Sequence, residues 1–263
     1  MRTLERGIEF ATKRLSRTIL AFHRSFRKMA NLEHVQWLRK GAFAWNSWRQ
    51  QHPAIYPDFN SAHCRSCNLA EAQLENSNFH GDDLVGTNFS GANLSQSDLS
   101  NSILRKADFS QAQLYGSNLT QTDLRGTNLN GADLIEVTLI SADLTGACLI
   151  NSNFSRAALV SANLAQAILI RAIGWGADFT GAFLQGANFT QADLRGANFS
   201  SADLRGASLI GARLDEASFE YANLQDANFQ GANVSSTLSS RLAPTTQPFL
   251  PQHRALFLPA SQD

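Results

Sequence analysis

The chain has 263 residues, in which 22 Lys and Arg balance 22 Asp and Glu. This length allows one large domain or two small ones, and no apolar run approaches the roughly 20 residues that a membrane-spanning helix needs. Charge is uneven along the chain, because residues 1–56 hold eleven basic and three acidic residues and the remainder holds eleven and nineteen. We therefore expect two parts with different surfaces.

Residues 1–30 are predicted to form a basic amphipathic helix. Apolar residues recur at spacings of three and four, and basic residues flank them, as expected for two faces of one helix. The apolar face contains Leu4, Ile8, Leu15, Ile19, Phe22 and Phe26, and the flanking residues include Arg14, Arg17 and Arg24. Such a face packs on a partner protein or on the rest of the chain, or it lies on an anionic membrane surface.

Residues 31–56 are predicted to form a capping helix. Trp37, Trp45 and Trp48 fall near helical spacing, and Pro53 and Pro57 end the helix. The repeats that follow need such a cap, because their first unit would otherwise expose core residues and an unpaired edge.

Residues 57–236 repeat every five positions. From Phe59 to Val234, 36 positions in one register hold 23 Leu and 10 Phe, and a small residue precedes each by two. Neither an α-helix nor a flat strand keeps residues at this period on one face. The period fits a chain that turns a corner in every repeat, so that each large residue points inward. This arrangement is a β-solenoid.

The phenylalanines indicate how many sides each coil has. When the large positions are sorted in steps of twenty, nine of the ten Phe fall in two alternate columns, and only Phe154 lies elsewhere. This distribution favours a four-sided coil with Phe on opposed walls. Thirty-six repeats over four sides give about nine coils, with rungs about 4.8 Å apart.

The pattern A(D/N)LXX, seen at residues 92–94, resembles the pentapeptide repeat family. The Trp-Asn-Ser-Trp-Arg stretch at 45–49, ahead of Pro57, also resembles the helical leader of cyanobacterial members. The resemblance implies a right-handed quadrilateral β-helix with an N-terminal α-helical extension. It also implies a binding role, since several members act through protein partners or at membranes. Some members resemble duplex DNA and bind DNA gyrase.

One repeat has glycine at the large position. Gly174 puts no side chain where Leu belongs, and Phe154, the Phe outside the two columns, lies one coil away in the same column. We expect the Phe154 ring to fill the space that Gly174 leaves, because cores tolerate voids poorly. The alternative is a local bulge at the glycine.

Residues 237–263 leave the pattern. Four of the six prolines are there, with Ser, Thr and Gln. This composition predicts a mostly disordered tail.

The sequence contains no catalytic motif such as a Walker loop, a nucleophile elbow or HExxH, so we expect no enzyme and no cofactor. Cys64 and Cys67 form a single CxxC, and no metal site is predicted because zinc normally needs four ligands. Three cysteines make no disulfide framework and no secretory signal is evident, which favours a reducing compartment and a cytoplasmic location. Asp and Asn interchange beside the large residue, which indicates turn hydrogen bonding rather than acid–base chemistry.

An apolar belt is predicted on the surface of the middle coils, at one corner. Its residues replace polar ones at outward positions and stack when sorted in steps of twenty: Ile135, Ile150, Ile168, Ile170, Ile173 and Trp175. Strand preference for β-branched residues is one explanation. Trp175 favours a partner site, because tryptophan is not β-branched.

These features predict a non-catalytic protein-binding scaffold that uses its walls and the apolar belt. The alternatives are a membrane-surface adaptor anchored by residues 1–30, or a DNA-mimic that binds gyrase. Mimicry needs a continuous acidic row, and Asn163 and Phe183 interrupt the row that contains Asp123 and Asp143. We therefore expect an unidentified protein partner or a peripheral anionic membrane, and no nucleic acid.

Overall fold

The computed structural model describes residues 31–60 and 62–235. The segments predicted to be an amphipathic helix (1–30) and a tail (237–263) lie outside the described residues. The described chain consists of two short helices followed by a long series of turns and parallel bridges.

The repeats wind into four-sided coils. In the described repeats other than that of His63, the residue before the large position forms a parallel bridge with the residue twenty positions away, as Asn78 does with Asp98. We number the walls by their first large residue: wall 1 starts at Phe59, wall 2 at Cys64, wall 3 at Leu69 and wall 4 at Leu74, and each continues every twenty residues. Positions 79 and 99 therefore share wall 1, as a four-sided coil requires.

A β-turn forms each corner, which explains how an odd period keeps every large residue inside. At the corner between walls 3 and 4 of the first coil, the amide of Ala72 donates to Leu69 O at 3.1 Å, and Glu71 has a φ of 59°. Positive φ recurs every five residues from Ser66 to Gly231. One positive φ, at the third position of a turn, defines type II. Only three residues remain between turns, so among the described residues the walls contain isolated bridges and no longer strand.

Both inward positions are buried in nearly every described repeat, and the exceptions are the half-buried Cys67 and Ala232. Leu94 and Ala92, for example, are 0% exposed. Phenylalanine rings stack along wall 1, with centroids 4.8 Å apart for Phe179 and Phe199. The rings of Phe89 and Phe109 stack along wall 3 at 4.9 Å. The predicted placement of Phe on opposed walls is confirmed.

Gly174 is accommodated by its neighbour in wall 4. A Cβ built on Gly174 would overlap the Phe154 ring and would lie 2.9 Å from Cδ2 of that ring. Ile173 keeps its bridges to Asn153 and Asp193, so the glycine marks no bulge. The ring of Phe154 therefore occupies the missing side chain's space, as predicted.

The leader consists of two helices rather than the single capping helix predicted: α1 spans Leu32–Arg39 and α2 spans Ala42–Gln51. The break falls at Gly41, whose φ of 92° no helix accepts. The side chain of Asn31 caps α1 by accepting from Glu33 N at 3.0 Å. The prediction of one helix was wrong because it gave weight to the tryptophan spacing and none to this glycine.

The leader helices cover part of the first coil's free edge. Trp45 Nε1 donates to Gln73 O at 2.7 Å, and the Asn46 side chain bonds to both Glu71 O and Gln73 N. Trp45 is fully buried, and its ring lies 5.0 Å from that of Phe59. Backbone groups that would meet solvent at the edge are thereby paired.

Candidate functional site

The apolar belt crosses wall 4 in the coil of Ile173 and includes both corners of that wall, rather than the single corner predicted. Ile173 lies in the middle of wall 4, and Ile168 lies in the adjacent part of wall 3. These two side chains are 43% and 37% exposed, and Trp175 is 46% exposed. A wall of a β-solenoid is nearly flat, so these side chains present one continuous apolar strip.

The remaining belt residues lie at the corners and are half-buried. Ile150 and Ile170 are one coil apart at the corner between walls 3 and 4. Ile135 lies at the corner between walls 4 and 1, two coils from Trp175, with Ser155 between them. Ile135 is therefore at the margin of the belt, Ile173 is at its centre, and Trp175 is at its edge in the same coil.

A polar ladder adjoins the belt along the corner between walls 4 and 1, and the sequence did not predict it. The Arg156 guanidinium lies over the Trp175 ring, 4.9 Å from its centroid, and pairs with Glu136 at 3.5 Å. Tyr115, which is 42% exposed, donates to Glu136 at 3.3 Å. This ladder fixes the Trp175 ring at the edge of the belt, which suits a binding surface with a polar rim.

The apolar belt lacks a hydrogen bond that most corners have. Where an Asn or Asp precedes the large residue, its Oδ1 accepts the amide two positions later, as Asn153 does from Ser155 at 3.1 Å. Ile168 and Ile173 have no acceptor to offer to the corner amides that follow them. The apolar side chains therefore replace residues that would stabilise the turns.

The acidic row on wall 2 is paired with arginines. Asp123 accepts from Arg125 at 2.7 Å and lies 3.5 Å from Arg105, and Asp203 accepts from Arg205 at 2.7 Å. The hydrogen bonds from Arg125 and Arg205 lower the pKa of Asp123 and Asp203, respectively. Each carboxylate is thus neutralised by a neighbour rather than free to imitate a phosphate.

The cysteines are placed differently from expectation. Cys64 and Cys67 form a disulfide across the corner between walls 2 and 3 of the first coil, whereas we expected unpaired thiols. Cys148 is free and half-buried. The expectation was wrong because the count of three suggested no framework, while the inward positions on both sides of one corner bring the first two within bonding distance.

A buried carboxyl group lies next to this corner. Asp82 occupies a small inward position on wall 2, is 0% exposed, and accepts from the His63 and Asp83 amides at 2.8 and 3.0 Å. Its Oδ2 has no partner. Burial raises the pKa of Asp82, and the amide bonds oppose this rise. An aspartate in a column of Ala, Ser and Thr was the sequence signal for this group.

The predicted membrane or partner face, from Leu4 to Phe26 with its arginines, lies outside the described residues. In residues 31–60 and 62–235, no cluster of three or more His, Cys, Asp or Glu is placed to hold a metal ion. No helix of the described chain is long and apolar enough to cross a bilayer.

Coils of four three-residue walls, closed by turns and stacked in register, define a β-solenoid repeat protein. A sequence model of Pentapeptide repeats (8 copies) matches residues 83–121, 117–156, 157–196 and 197–235. The chain belongs to the pentapeptide repeat family, whose fold is a right-handed quadrilateral β-helix. No curated protein matches the chain.

Several solved structures are similar to the chain. HetL, a pentapeptide repeat protein involved in heterocyst differentiation regulation from Nostoc sp. strain PCC 7120, is 29% identical, covering 73% of this chain and 95% of its own, with a TM-score of 0.39. QnrB1, a plasmid-mediated fluoroquinolone resistance protein, is 20% identical, covering 68% and 89%, with a TM-score of 0.44. Rfr23 from Cyanothece 51142 is 35% identical, covering 37% and 63%, with a TM-score of 0.28.

Proposed function

We propose that the chain is a non-catalytic scaffold in the cytoplasm and that the apolar belt binds a protein partner. The observation that carries this proposal is the exposure of Ile173 and Trp175 at 43% and 46% on a flat wall, where the fold would be better served by Asn. Large apolar side chains that neither fill the core nor support the turns are typical of interaction surfaces.

The test compares the belt with a second exposed aromatic position. In Ile173→Asn/Trp175→Ser, the belt receives residue types that the repeat uses at the same positions elsewhere. Phe183→Asn is the matched control, because Phe183 is 50% exposed on wall 2, which is opposite wall 4. Each protein is used to capture partners from native host lysate, and captured proteins are then titrated in purified form.

The proposal requires a partner that binds the wild type and Phe183→Asn equally and binds the belt variant at least about tenfold more weakly, a loss of about 1.4 kcal/mol. Binding that survives in the belt variant would place the partner site elsewhere on the rod. Enzymatic turnover by the purified wild type would contradict the non-catalytic role.

A membrane-surface adaptor is the second candidate. The observation that favours it is a set of exposed apolar side chains on the leader helices, with Phe43 89% and Leu32 75% exposed. These helices follow the basic segment 1–30 in the chain. Flotation with anionic vesicles tests it, using full-length protein and a form that lacks residues 1–30. Flotation of full-length protein alone supports an anchor, and no flotation of either form excludes it.

Mimicry of DNA receives no support as a function. A mimic presents uncompensated negative charge along the rod, and the carboxylates of Asp123 and Asp203 are paired with arginines.

A further inference from the structure

The first coil departs from the others on wall 2, which ends at the corner that contains the disulfide. In later coils, the residue before the large position bridges to the next coil, as Asp83 does to Ile103. No bridge joins His63 to Asp83, although both belong to the described chain. The amide of His63 donates instead to the buried carboxyl of Asp82 at 2.8 Å. The Asp82 side chain thus replaces the regular backbone pairing of wall 2, next to the disulfide.

The leader helices support this corner less than they support the other half of the coil. Trp45 and Asn46 bond to the backbone of wall 4, and Asn31 N donates to Asp58 O of wall 1. On wall 2 the described leader bond runs from Arg39 Nη2 to Ala62 O at 2.9 Å. The disulfide therefore closes the part of the entry edge that the helices cover least.

Wall 2 contains a group whose burial is unfavourable. The Oδ2 atom of Asp82 is buried without a hydrogen-bond partner, and an unsatisfied buried polar atom is destabilising. Release of the His63 amide would let water reach this carboxyl group. Opening of wall 2 would hydrate Asp82, and the disulfide at the end of this wall opposes that opening.

We propose that the Cys64–Cys67 disulfide is a reversible redox site, which holds the first coil's corner closed when oxidised and lets it open when reduced. Cys67 is half-buried and the intervening Arg65 and Ser66 are exposed, whereas Cys64 is buried. Cys67 is therefore the more accessible of the two cysteines to a reductant.

The reductant is a low-molecular-weight thiol or a protein dithiol. Its thiolate attacks the Cys67 sulfur, the S–S bond breaks, and Cys64 leaves as a thiolate that takes a proton from water. A second thiol, from another thiol molecule or from the same dithiol, then attacks the mixed disulfide and releases Cys67. Two electrons pass to the protein, and the reductant leaves as a disulfide.

The fold tolerates both states. A disulfide over a separation of three residues closes a very short loop, so its removal releases little chain entropy compared with a long-range bridge. Each coil of a solenoid contacts only its neighbours, so opening at the end of the rod leaves the middle coils intact.

The first experiment measures the redox equilibrium in full-length Cys148→Ser, which removes the third thiol. The protein is equilibrated under native conditions in glutathione buffers of graded ratio, and free thiols are trapped with N-ethylmaleimide and counted by mass spectrometry. We expect Cys64 and Cys67 to become labelled together at a single midpoint within the range of these buffers. Labelling only after denaturation, or labelling in every buffer, would overturn the proposal.

The second experiment measures opening by hydrogen exchange of the same oxidised and reduced samples. We expect peptides within residues 59–70 to exchange about tenfold faster after reduction, while peptides from 120–200 keep their rates. Cys64→Ser/Cys67→Ser is the matched variant and should exchange like the reduced protein in every buffer. Equal exchange of 59–70 in both redox states, or a change along the entire rod, would overturn the proposal.

Discussion

Asparagine and aspartate act as turn residues in this chain. Asp178 accepts the Thr180 amide at 3.0 Å, and Asn188 accepts the Thr190 amide at the same distance. The two side chains place an acceptor oxygen at the same point, so either one completes the corner. This is why their interchange in the sequence predicted hydrogen bonding correctly without any structure.

Because an Asn side chain completes a corner in this way, replacing one belt residue with Asn measures how much stability the apolar belt costs. Ile173→Asn gives the corner an acceptor for the Trp175 amide, and a hydrogen bond of this kind contributes about 0.5–1.5 kcal/mol. We expect the unfolding free energy to stay level or rise, and partner binding to fall. Chemical denaturation monitored by circular dichroism measures the first. A clear loss of stability would mean that Ile173 serves the fold and not a partner.

Phe154 and Gly174 are predicted to be energetically coupled. Phe154→Leu leaves a void above Gly174 and costs about 1–3 kcal/mol, and Gly174→Leu alone overpacks the core by a similar or larger amount. The double variant restores the Leu column of wall 4 and should regain most of the lost stability.

Denaturation of the four proteins in this cycle gives the coupling free energy. We expect a favourable coupling of about 2–3 kcal/mol, near the upper end for residues in contact. Additive effects would show that the ring and the glycine do not share one space.

Asp82 is predicted to make stability depend on pH. Burial raises the pKa of Asp82, so the folded protein keeps this proton at a pH where the unfolded chain has lost it. The contribution of this proton to the free energy of unfolding is complete below about pH 4 and is lost as the pH rises through the pKa of Asp82 in the folded protein. Asp82→Asn cannot ionise and still offers Oδ1 to the His63 and Asp83 amides.

We expect Asp82→Asn to melt at or above the wild-type temperature at pH 7 and to lose the decline in stability between pH 4 and 7. Thermal unfolding at several pH values checks this. Asp108→Asn, at a half-exposed turn position, is the control and should retain the decline. Unchanged pH dependence in Asp82→Asn would mean that the carboxyl group is hydrated in the folded protein.

At the scale of elements, α1 and α2 act as the cap of the rod. Trp45 is fully buried, contacts the Phe59 ring and bonds to wall 4, whereas Phe43 in the same helix is 89% exposed. Trp45→Ala should lower the unfolding free energy of the cap and first coil by about 3–5 kcal/mol, and Phe43→Ala should change it by less than about 0.5 kcal/mol.

Circular dichroism measures the unfolding free energy of both variants, and tryptic digestion measures how fast the cap is cleaved. We expect cleavage after Arg49 to accelerate in Trp45→Ala and not in Phe43→Ala. Equal behaviour of the two variants would show that the helices do not hold the first coil.

The elements differ in how far the sequence predicts them. The coils follow from periodicity, because each repeat meets the same neighbours and the same turn, and the four walls follow from the placement of Phe. The break at Gly41 and the disulfide at Cys64 do not follow, because the first coil has a coil on one side only. Contacts at the first coil depend on the cap, whose residues do not recur at a regular spacing. The location of the apolar belt follows from the register of the five-residue repeat. Its extent across wall 4 depends on how the side chains at the corners are oriented.

For the whole molecule, stability is expected to be local, because each described bridge joins a coil only to the coil next to it. Loss of the cap should therefore loosen the first coils and leave distant ones unaffected. We expect hydrogen exchange in Trp45→Ala to accelerate most for residues 57–80, less for 81–100, and not at all for 139–214.

A form lacking residues 1–30 is the control for this gradient, since it keeps α1 and α2, and its exchange should match that of the full-length protein over residues 57–235. Uniform acceleration along the rod in Trp45→Ala would mean that the β-helix unfolds as one cooperative unit. In that case the corner at Cys64 could not open alone, because its release would cost the stability of every coil. The decrease in exchange along the rod therefore decides whether the disulfide corner at one end of this solenoid can open without disturbing the apolar belt in its middle.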